Sequence, residues 1–107
     1  MTREQPSSWN ANEKEYADYL AHERHMFAWC LVTHGGFTHA TALARAEQRY
    51  PYEAPTEPHR GLVFHDEAWH WAMLTLFGEQ YWRSRPELQS PSADYRTEST
   101  RHEHPNA

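Results

Sequence analysis

The chain has 107 residues, with 10 Lys and Arg against 15 Asp and Glu, a formal charge of −5 with histidines neutral. That length allows one domain with one modest core, and the acidic balance excludes the basic footprint of a general nucleic-acid binder. No stretch approaches the roughly 18 apolar residues of a membrane span, residues 1–6 lack the apolar region of a secretory signal, and the single Cys30 excludes an internal disulfide framework.

With no Ile and only two Val, the core must come from Leu, Ala, Met and aromatic residues, a set that favours helix over strand. Residues 1–11 are polar and read as a flexible arm. Asn12, followed three residues later by Glu15, has the form of an N-cap with its capping-box partner, and Trp9 is placed to pack over that first turn. A first helix is predicted over 13–33. Tyr16, Tyr19, Leu20, Phe27, Cys30 and Leu31 share one face at helical spacing, Met26 widens it, and Gly35-Gly36 ends it. Thr38 caps a second helix over 39–50, rich in alanine and closed by Pro51.

Residues 51–60 carry a proline every three or four positions and read as a stiff, extended connector. A third helix starts between 64 and 66 and runs to 77, apolar on nearly all sides. Residues 79–84 form at most a short turn carrying Tyr81 and Trp82. From Arg85 onward only Leu88 and Tyr95 look buriable, so 85–107 read as a mostly disordered tail, removable beyond residue 87 at little cost in stability. The expected fold is all-α: a small three-helix bundle over residues 12–84, with a proline-rich connector and disordered termini.

Nine histidines invite a search for chemistry. The densest run is His65-Asp66-Glu67-Ala68-Trp69-His70, in which Glu67 and His70 are three apart on a predicted helix. Glu-x-x-His is half of the ligand set of ferritin-like di-iron bundles, so Glu67 and His70 are the candidate ligands for Zn or Fe, with Glu23, Glu47, His22 or His25 able to face them. The second such motif is missing, and the bland reading has His70 hydrogen-bonded to Asp66 at the start of the helix. His22 and His25 read as solvated, and His102 and His104 as tail residues. Arg60 and His65 have the spacing used by small helical ribonucleases, and Pro55 to Arg60 fits a Pro-x-x-Pro-x-Arg groove ligand. Cys30 reads as an inert core thiol.

The bulkiest signal is aromatic. Three helices cannot hide 15 such rings, and surplus Trp, Tyr and Arg is what interface hot spots are made of. The leading expectation is therefore a small acidic cytoplasmic protein-binding or regulatory module, non-enzymatic and without cofactor. It would act through Trp29, Trp69, Trp71, Tyr81 and Trp82. An all-round apolar third helix asks for a second chain to cover it, so a homodimer is expected, with no direct nucleic-acid or membrane partner. The metal-binding helical protein stands second and the ribonuclease-like enzyme third. Nine Arg against one Lys, with no Ile, points to a GC-rich bacterial or phage genome.

Overall fold

The structure, a computed structural model, describes residues 12–103. The expected arm 1–11 with Trp9, and His104, lie outside the described residues. Helix α1 spans Glu13–Gly35, α2 His39–Arg49, α3 Ala68–Phe77, α4 Tyr81–Ser84 and α5 Ala93–Glu103, with 3₁₀ turns at Leu62–His65 and Pro86–Leu88. The chain is all-α, but the expectation of a three-helix bundle followed by a mostly disordered tail does not hold. Five α-helices are present among the described residues, and the fifth lies in the stretch expected to be unstructured.

The first two helices form for the local reasons the sequence displays. Asn12 Oδ1 accepts the Glu15 N–H at 2.9 Å and Thr38 Oγ1 accepts the Thr41 N–H at 3.2 Å, each relieving an orphan donor of a first helical turn. Gly36, at φ +70°, turns the chain out of α1 in the left-handed region, and the Gly36 and Phe37 N–H groups return to the carbonyls of Val32 and Leu31. Gly35 lies close to the tip of the Leu76 side chain, which would have to shift for a larger residue. A Cβ there would meet Leu76 of α3 at 2.6 Å.

Helix α1 is the spine, packing against α2, α3 and α5. Its buried face is Tyr16, Leu20, Glu23, Met26, Phe27, Ala28, Cys30 and Leu31. From the other elements come Ala42, Ala46, Tyr50, Ala68, Trp69, Ala72, Met73, Tyr81 and Tyr95. The alanines of α2 let it approach α1 closely, and aromatic rings fill the wider gaps.

Two further expectations are corrected here. The connector is not extended: bonds from Glu57 N–H to Ala54 O, Arg60 N–H to Glu57 O and Leu62 N–H to His59 O make it a run of turns. Arg60 organises it from within. Its side chain is buried, its Cζ lies 3.7 Å from the Tyr16 ring centroid, Nε donates to Glu53 O at 2.8 Å, and Nη2 pairs with Glu13. The predicted third helix is also broken. Residues 62–65 form a 3₁₀ turn, Asp66 is extended, and α3 begins only at Ala68.

Helix α3 has no capping side chain of its own. Its Ala68 N–H donates instead to Glu23 Oε1 of α1 at 3.1 Å, so a carboxyl from another helix supplies the cap. Burial pushes the Glu23 carboxyl up to about 7, outweighing the bond from Ala68 that favours its charged form.

Candidate functional site

The structure separates the aromatic residues expected to form one binding surface. Trp69 and Tyr81 are interior, at 2% and 3% exposure. Trp69 Nε1 donates to Leu88 O at 2.8 Å, and the Tyr81 hydroxyl bonds His70 Nδ1 at 3.0 Å. Trp29 is half-buried between the rings of His34 and Tyr95. Trp71 is half-buried as well, with Nε1 donating to Val63 O and Arg49 Cζ 4.6 Å from its ring centroid. Trp82 is the exposed member, at 36%.

Of these five, the exposed ring lies at the corner where α3 meets α4; elsewhere Tyr52 and Tyr19 are more exposed, at 53% and 39%. His70 contacts the rings of Trp71, Tyr81 and Trp82, Tyr81 meets Trp82 edge-on, and Phe77 is exposed with Arg85 Cζ 4.3 Å from its centroid. An Arg stacked on a ring keeps its charge in water while shielding one ring face.

The proposed metal pair does not assemble. Glu67 pairs with Arg96 of α5 through two bonds, at 2.7 and 3.1 Å, while His70 turns to Tyr81 rather than to Asp66. No group of three or more His, Cys, Asp or Glu among the described residues is arranged to hold a metal ion. Glu67 and His70 therefore carry no Zn or Fe reading. The ribonuclease spacing fails on similar grounds, since Arg60 is locked in the connector while His65 is exposed. The same burial removes Arg60 from any Pro-x-x-Pro-x-Arg recognition. Cys30 is fully buried, and its surroundings push the thiol up, away from the reactive thiolate. No helix among the described residues is long and apolar enough to cross a membrane.

A cluster that sequence reasoning missed lies along the α1–α5 seam. His22 Nδ1 and His102 Nδ1 are 2.8 Å apart, His22 Nε2 bonds Ser99 Oγ at 3.0 Å, and His25 Nε2 meets Glu98 Oε2 at 2.6 Å. The His25 and His102 rings stack with centroids 4.0 Å apart. Ser99, His22 and His102 have the connectivity of a nucleophile, a base and an orienting group. Ser99, however, sits inside α5, where neighbouring N–H groups are engaged in the helix ladder and cannot serve an oxyanion. The seam clamps two helices together. Of its members, only the His22–His25 spacing on a predicted helix was readable from sequence.

A bond between two Nδ1 atoms needs one donor and one acceptor, so His22 and His102 cannot both be protonated while it persists. Burial holds both histidines below their ordinary range, and neighbouring histidines add to this. Arg101 and His25 hold Glu98 down at about 2. The depressed histidines contribute stability above pH 6.5 that is lost as pH falls below it, and Glu98 adds a loss between 4.5 and about 2. Glu23, raised from 4.5 to about 7, acts oppositely: its contribution is full below 4.5 and lost as pH rises through about 7. The histidine and Glu23 contributions oppose each other between pH 4.5 and 6.5. Between pH 4.5 and 7 a Glu23→Gln variant should therefore gain stability more steeply with rising pH than the parent, and parallel melting profiles would contradict the assignment.

No protein-family model, curated protein or solved structure matches this chain.

Proposed function

We propose that this chain is a small, acidic, non-enzymatic interaction module whose contact surface is the α3–α4 corner, and that its first partner is a second copy of itself. The observation that carries the reading is the juxtaposition at that corner. Trp82 is 36% exposed and lies against His70 and the buried Tyr81, while Phe77, equally exposed, ends α3 under Arg85. Aromatic anchors on a rigid base lose little conformational entropy when they are covered. A twofold contact would place the same corner on both sides. The lone buried cysteine supports a role in a reducing, cytoplasmic compartment.

Light scattering should therefore show concentration-dependent dimerisation in the micromolar range, abolished or weakened at least about tenfold by Trp82→Ala. Because Trp82 is partly exposed, that change should leave the fold intact, checked by near-ultraviolet circular dichroism. A strict monomer at high micromolar concentration would remove self-association as the function.

A further inference from the structure

A second site adjoins the α3–α4 corner through Trp71, between α2 and α3, where Arg45, Gln48 and Arg49 of α2 and Thr75 of α3 surround a notch of about 300 Å³ lined also by Phe27. We propose that this notch binds a dianionic phosphate group, inorganic or on a small monoester.

The two arginines are held side by side with their N–H edges open. Arg45 and Arg49 are one helical turn apart, so their side chains leave α2 on the same side. Each guanidinium is parked on an aromatic ring: Arg45 Cζ lies 5.5 Å from the Phe37 centroid and Arg49 Cζ 4.6 Å from that of Trp71. Stacking occupies the planar face and leaves the N–H edges for an acceptor. In a chain of net charge −5, such arginines would be expected to find carboxylates. Arg60, Arg96 and Arg101 do, pairing with Glu13, Glu67 and Glu98, whereas Arg24 bonds Tyr50 O and Arg83 and Arg85 make no ion pair among the described residues. Arg45 and Arg49 differ from these in sharing one notch. Among the described residues, no carboxylate makes an ion pair with Arg45 or Arg49, and none lines the notch.

The remaining donors and the space favour a tetrahedral oxyanion. A carboxylate has two oxygens and satisfies one guanidinium fork, whereas a phosphate presents three or more and can take both forks at once. The Gln48 amide adds a neutral donor at the wall. The Thr75 hydroxyl already donates to Trp71 O at 2.9 Å, and rotation about its C–O bond frees it for a ligand. Arg49 stands in the last turn of α2, where helix carbonyls carry roughly half a negative charge, and two full positive charges outweigh that. Phe27 is buried beneath the notch, while the arginine side chains remain open to solvent.

The test uses the full chain at pH 7.5 and constant low ionic strength, with titrations followed through the arginine Nε–Hε signals in ¹H–¹⁵N spectra. Inorganic phosphate, O-phosphoserine and acetate are compared. Phosphate or phosphoserine should saturate the Arg45 and Arg49 signals in the millimolar range, with acetate at least about tenfold weaker. Binding of both phosphates shows that the group itself is read; binding of phosphoserine alone assigns the site to a monoester. Arg45→Gln and Arg49→Gln should each weaken binding by about tenfold, and Arg49→Lys should not restore it because an ammonium lacks the fork. Arg85→Gln, which also removes a ring-stacked arginine, should bind normally. Trp82→Ala should too, so failure of the dimer reading leaves this result standing. Absence of saturation below about 50 mM for both phosphates, equal binding of acetate, or unchanged binding in both glutamine variants would overturn the proposal.

Discussion

Trp69→Ala should lower the unfolding free energy by about 3–5 kcal/mol, the range for removing a large aromatic side chain from a packed interior. Trp69 is 2% exposed, meets Tyr95 and His34 edge-on with centroids 5.5 and 5.3 Å away, and donates to Leu88 O. One side chain thus ties α3 to α1, to α5 and to the turn before α5. At about 4–8 °C per kcal/mol for a domain this size, the melting temperature should fall by more than 12 °C. Trp69→Phe separates the terms, because it keeps most of the apolar contact but leaves the Leu88 carbonyl without its donor; that should cost about 1–3 kcal/mol. Trp71→Ala is the control. Its ring is half-buried under Arg49, so its loss should be clearly smaller than that of Trp69. Equal losses at Trp69 and Trp71 in chemical denaturation would mean that the core is not centred on Trp69.

Where interactions are local, the sequence was readable. The Asn12 and Thr38 caps, the turn at Gly36 and the ends of α2 involve partners within a few residues, and pattern alone placed them within one or two positions. Glu23 was half-readable. The stripe Tyr16, Leu20, Phe27, Cys30, Leu31 leaves its middle place to residue 23, so a carboxyl there must be buried. That it caps α3 could not be seen, since Ala68 is 45 residues away. Arg60 was hidden in the same manner: its spacing suggested a ribonuclease or a groove ligand, and the partners that bury it, Tyr16 and Glu13, lie more than 40 residues away on α1. Trp69 and Tyr81 were assigned to a surface because the sequence did not show how much cover α5 and the Pro86–Leu88 turn provide.

Helix α5 is the largest departure, and its removal is the second large effect expected. Its composition is polar and its one buried side chain is Tyr95, so neither hydropathy nor periodicity marks it. Weaker signals existed: Ser92 Oγ accepts the Tyr95 N–H at 3.2 Å, Asp94 lies in the first turn, and Arg101 and His102 lie in the last, where each charge suits the helix dipole. The helix is held by long-range partners. Tyr95 packs edge-on against Trp29 and Trp69, Arg96 pairs with Glu67, and the histidine seam binds Glu98, Ser99 and His102 to α1. A chain ending at Ser92 would uncover Trp29 and Trp69 together and break the seam, so the melting temperature should fall by more than about 12 °C and near-ultraviolet dichroism should weaken. Tyr95→Ala isolates the buried contact and should cost about 3–5 kcal/mol. His25→Ala removes only a seam residue that is a third exposed, and should cost no more than about 1 kcal/mol. The order expected is thus truncation, then Tyr95→Ala, then His25→Ala. A truncated chain melting within about 5 °C of the full one would show that the tail does not dock, and that the core closes over Trp69 without it.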